Sequence, residues 1–177
     1  MPTSILGLPL HPLIVHATVV FVPTAAAAVP LAALWPRFRR WAGWGPLAVS
    51  VVALVLTPLS TASGENLRHQ MPQNPLIARH SQLADGLLPW TAGLAVVAAL
   101  LYLLHRGHRP GLSASARPPG SGWSRRPGGR SLLVAATVLA VVAALGTTVQ
   151  VALIGHSGAK AAWAGVGSRP ASAGTGG

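Results

Sequence analysis

The sequence predicts an all-α polytopic membrane protein, four transmembrane helices in an antiparallel bundle. Three observations predict it. Hydrophobic residues make up 51% of the chain and charged residues only 8%, against about a quarter charged in a soluble domain. The apolar residues gather in four runs close to the roughly 20 residues a helix needs to cross the hydrocarbon. Those runs have almost no polar side, which a helix of a soluble bundle requires.

The first run, Leu8 to Trp35, opens on "LHPLIVHAT". Pro12 suits a first helical turn, where its missing N–H costs nothing, so the helix starts there rather than breaking. The second run, Pro46 to Ala62, is short; the third spans Leu83 to Leu104 and the fourth Ser131 to Ile154. Alanine and glycine are abundant in all four, and small residues let membrane helices approach closely. The four-helix domain covers residues 5–163. Within it, the Arg-, Gly- and Pro-rich segment 106–130 reads as a disordered loop, and 164–177 as a disordered tail.

Composition also removes chemistries. There is no cysteine, hence no disulfide, thiolate metal site, iron–sulfur cluster or cysteine nucleophile. No phosphate-binding loop, metalloprotease motif or serine triad is present, so the chain is not read as an enzyme on its own. The net charge of +11 comes from 13 Lys and Arg against Glu65 and Asp85. Basic residues flanking membrane helices mark the cytoplasmic side, which accounts for them without nucleic acid. The first and third loops carry nine basic residues and the other side four, placing both termini on the outer side of the membrane. Trp35, Trp41 and Trp44 then belong to an inner aromatic belt, and Trp90 and Trp163 to an outer one.

That orientation gathers polar groups at one face. The outer ends of the four helices hold His11, His16, Glu65, His69, His80, Asp85 and His156, five of the seven histidines and both acids. His16 lies about 10 Å into its helix, and an ionisable residue at depth marks a functional site by default. The alternative is a neutral histidine bonded to a backbone carbonyl or to Thr18. His11 is five residues away, about 140° around the helix, and fits a cap or an outer-shell group. Glu65 ends the second helix, where the dipole disfavours an anion; Arg68 is the simple partner, a histidine or metal the other. Asp85 is expected in the first turn of the third helix, where an anion is favoured, or behind a histidine as its orienting partner. His156 either caps carbonyls or joins the cluster.

Imidazoles and a carboxylate converging from several helices suit a transition metal (iron, zinc or copper) or haem b. His16, His80 and His156 are the candidate haem or metal ligands, with Glu65 completing a metal set and His11 and Asp85 behind them. A membrane redox partner follows from that reading. A proton or ion path is the alternative, and a non-catalytic structural or assembly subunit the third.

The motifs "GLPLHPLIVHATV", "SGENL", "RHSQLADGLLPW" and "GHSGAKAAW" together resemble the bacterial membrane family called domain of unknown function 2231, over roughly residues 5 to 163. The Ala-, Arg- and Gly-rich composition resembles that of a high-GC bacterium. The resemblance implies a four-helix integral membrane protein. Relatives fused to Rieske-type iron–sulfur domains imply membrane redox chemistry. Carried over by position, the family pattern points to His11, Pro12, His16 and His80; Glu65 and His156 match the relatives most like this chain.

Overall fold

Pro12 sits in the first turn of a 25-residue helix and does not interrupt it. The computed structural model describes residues 4–5, 8–69, 74–106 and 127–164. Two short strands, β1 (Ser4–Ile5) and β2 (Leu8–Pro9), pair antiparallel ahead of that helix. Six helices follow: α1 (Leu10–Leu34), α2 (Pro36–Ala42), α3 (Gly45–Arg68), α4 (Pro75–Asp85), α5 (Leu88–Arg106) and α6 (Pro127–Trp163). Among the described residues, four stretches are long and apolar enough to cross a membrane: His11–Leu34, Gly45–Arg68, Pro75–Arg106 and Arg130–Trp163. Pro23, Pro30 and Pro58 lie inside α1 and α3; membrane helices tolerate this because neighbouring groups take up the freed carbonyls.

The bundle is inverted relative to a soluble protein. Its centre is built from small residues: Ala25, Ala53, Ala98, Ala136 and Ala140 are buried, with Val22, Val29 and Leu94 among the few larger ones. The large apolar side chains face outward, Val20, Val55, Val96, Leu103 and Leu145 among them. Lipid tails solvate that surface as well as a protein core would, so tight approach of backbones, and not hydrophobic exclusion, holds the helices together. The buried polar residues obey the same rule. Ser50, Thr57 and Thr147 each donate to the carbonyl four residues back in their own helix, at 2.7–2.8 Å.

Three boundaries differ from the sequence expectation. The first loop contains helix α2, begun by Pro36 at its first position and closed by Gly43, whose φ of 56° is a left-handed value that glycine adopts without strain. The third span starts not at residue 83 but at Pro75, capped by Asn74, whose Oδ1 accepts from the Leu76 amide at 2.9 Å. Asn74→Ala is expected to cost about 1 kcal/mol, read as a lower unfolding midpoint in a detergent titration. That span then breaks between Asp85 and Leu88. Gln150 of α6 donates to the Leu83 carbonyl at 2.6 Å, and its amide fills the space where a side chain on Gly86 would begin. The third difference is at the ends of the Arg-rich segment. Arg106 closes α5 and 127–130 open α6; residues 107–126, like the tail beyond 164, lie outside the described residues.

Candidate functional site

At the end of the bundle away from α2, the start of α1, the end of α3, all of α4 and the end of α6 enclose a cavity of about 420 Å³. Its wall includes His11, Glu65, Arg68, His80, Ser81 and Asp85. Both acids of the protein and two histidines thus meet in one chamber.

The two histidines are held in matching seats. His11 on α1 places Nδ1 2.9 Å from Ser63 Oγ on α3, and the Ser63 hydroxyl donates to the Ser60 carbonyl at 2.9 Å. The ring edge lies against Gly64, with Cε1 3.1 Å from where a Cβ would stand. His80 on α4 repeats the arrangement on α6. Its Nδ1 is 3.0 Å from Ser157 Oγ and 3.2 Å from the Ile154 carbonyl, and the Ser157 hydroxyl donates to that carbonyl at 2.9 Å. His80 Cε1 is likewise 3.1 Å from a Cβ placed on Gly158. In each seat a Ser-Gly step supplies the acceptor and the gap into which the ring fits.

The Ile154 carbonyl can only accept, so His80 Nδ1 carries a proton and, in the neutral ring, Nε2 keeps the lone pair. At His11 the Ser63 hydroxyl gives its proton to the Ser60 carbonyl, an arrangement that leaves Oγ to accept from Nδ1 in the same way. Neither Nε2 has a hydrogen-bond partner among the described residues.

Other predicted site residues lie elsewhere. His16 is exposed and its Nδ1 donates to the Pro12 carbonyl of its own helix at 2.6 Å. The reason is the 140° offset: once His11 turns into the bundle, His16 turns away. His11, expected behind the ligands, lines the cavity, and His16, expected as a ligand, does not. His156 is exposed while its neighbour Ser157 is buried, the consequence of a 100° step per residue. Among the described residues no three His, Asp or Glu side chains are placed to hold a metal ion, so the set His16, Glu65, His80 and His156 is not assembled. Glu65 has the simple partner: Arg68 Nη2 lies 2.7 Å from its Oε1, with exposed His69 at 3.3 Å. Asp85 closes α4 instead of opening a helix. Trp90 packs its ring onto Gly146 of α6; Trp163 is exposed at that end.

Sequence reasoning missed Ser63, Gly64, Ser157 and Gly158. Their signal was present as a recurrence: "SG" follows the second and fourth apolar runs at the same membrane face, in "TASGENL" and "GHSGAKA".

Residues 7–169 match the family described as "Predicted membrane protein (DUF2231)". The chain belongs to this family. Neither a curated protein nor a solved structure matches it. The match spans the whole bundle of this DUF2231 protein, including both Ser-Gly seats and both histidines they hold.

Proposed function

We propose that this DUF2231 protein holds haem at the histidine end of its bundle, with Nε2 of His11 and His80 as iron ligands, and serves as a membrane electron carrier. The observation that carries the reading is the pair of Nδ1-anchored imidazoles, one on α1 and one on α4, lining a single cavity. A ligating histidine commonly donates its other N–H to a carbonyl or similar acceptor, which fixes the ring and raises its basicity. Haem is favoured over a bare iron, zinc or copper ion because the porphyrin fills the equatorial positions, leaving two for protein. Structural zinc, by contrast, takes four protein ligands and catalytic zinc three. Leu67, Ile77 and Ala161 add apolar wall, and Arg68 stands there for propionates.

The same reading places the cavity on the outer side of a bacterial cytoplasmic membrane, since Arg37, Arg39, Arg40, Arg106 and Arg130 lie at the other end. A reporter enzyme fused to the C-terminus is the check on that side. Proton or ion transport has less support. The buried polar residues among those described are Thr18, Ser50, Thr57, Thr91, Thr147 and Ser157, none ionisable, whereas proton relays run through Asp, Glu and His.

The deciding experiment is a dithionite-reduced visible spectrum of protein purified in mild detergent, after expression with ample haem and metals, together with metal analysis. A reduced Soret band is expected. A colourless, metal-free preparation would sink the proposal in favour of a structural subunit.

A further inference from the structure

A second cavity, also about 420 Å³, lies at the opposite end of the bundle, between the end of α1, α2, the start of α3 and the end of α5. Its floor is apolar, formed by Val29, Leu47 and Ala98, and its rim carries Arg39, Arg106 and Tyr102. Arg39 Nη1 donates to the Ala32 and Ala33 carbonyls at 2.9 and 3.3 Å, which holds the guanidinium at the wall. Arg106 lies over the Tyr102 ring, 6.0 Å from its centre.

These arginines have no carboxylate to pair with. The chain has only two acids, Glu65 and Asp85, and both line the cavity at the other end. Helix-end carbonyls offset part of the charge but bring no net negative charge. Burial, and then the neighbouring Arg40, pull the Arg39 guanidinium below its usual range, so its charge is held at a cost that an anion would offset. The start of α3 adds the positive end of a 24-residue helix. Exposed Trp41 and Trp44 stand beside this end, the residue type that settles at headgroup level.

We infer that this cavity is a binding site for one anionic phospholipid, its phosphodiester on Arg39 and Arg106 and an acyl chain over the apolar floor. Basic pockets between membrane helices suit that chemistry, with each interfacial Lys or Arg worth about 1 kcal/mol toward an anionic lipid. The site is independent of anything bound at the histidine end.

Native mass spectrometry of delipidated protein, offered equal dioleoylphosphatidylglycerol and dioleoylphosphatidylcholine, tests it. One phosphatidylglycerol is expected to be retained, with about thirtyfold preference, the scale that two interfacial arginines set. Arg39→Gln with Arg106→Gln should bring the two lipids to parity. Arg106→Gln alone should lower the preference severalfold, and it leaves the interhelix bonds in place because Arg106 touches Tyr102 on its own helix. Arg37→Gln with Arg40→Gln removes equal charge from exposed positions outside the cavity and should keep the preference. Equal retention of both lipids by the parent protein, or equal loss from the two double variants, would overturn the site. Displacement of the lipid by excess glycerol 3-phosphate would also overturn it, by showing that a free phosphate is the occupant.

Discussion

His80→Ala is expected to abolish the reduced Soret band, and His11→Ala to do the same, while His16→Ala and His156→Ala leave it intact. The first two remove an imidazole whose Nε2 lone pair serves the cavity; the last two remove exposed rings outside it. Ser157→Ala gives a graded result. It takes away one of the two acceptors on His80 Nδ1 and leaves the Ile154 carbonyl, so haem is retained more weakly, by roughly the 10- to 100-fold typical of a lost orienting partner. The measurement is haem per protein after a fixed dialysis, with folding followed by circular dichroism. A band lost in His16→Ala but kept in His80→Ala would reverse the ligand assignment and sink the proposed geometry.

Gly146→Ala is expected to be the most damaging single methyl in the bundle. A Cβ on Gly146 would overlap the six-membered ring of Trp90, and a Cβ on nearby Gly93 would stand 3.8 Å from that of Ala143 across the same interface. The α5–α6 interface is thus a bulky indole set into a gap left by a missing side chain. To admit the methyl, the helices must separate or the indole must swing aside. Overpacking of this kind costs about 1–3 kcal/mol. The measurement is the unfolding midpoint in an SDS titration from mild detergent. Trp90→Ala is destabilising for the opposite reason, a cavity. The double variant should be more stable than the sum of the two losses, with a coupling of about 0.5–3 kcal/mol. Simple additivity would show that Trp90 and Gly146 do not share a contact.

Much of the fold was legible in the residues. A run such as "SLLVAATVLAVVAALGTTVQVALI" has no polar face to offer water, so burial in lipid is the arrangement left to it. Four such runs set the number of candidate spans, and Pro12, with no N–H to lose, marked a start. The segregation of both acids and five histidines to one end also followed from chain order alone, because alternate helix ends share a face. The break at Gly86 was harder to see. It depends on Gln150, 64 positions away in the chain, and a local pattern holds no trace of a hydrogen bond between distant helices.

Membership of the membrane bundle and the polar end were therefore properties of composition and order, which act through hydrophobicity and helix length. Which histidine enters the cavity was settled by packing. His11 and His16 differ by a rotation of the helix about its axis, and a helix apolar on every side has no sequence-encoded preference for that angle. The angle was set by the fit of His11 against Gly64 and its bond to Ser63 on α3, contacts that exist only once the helices are side by side.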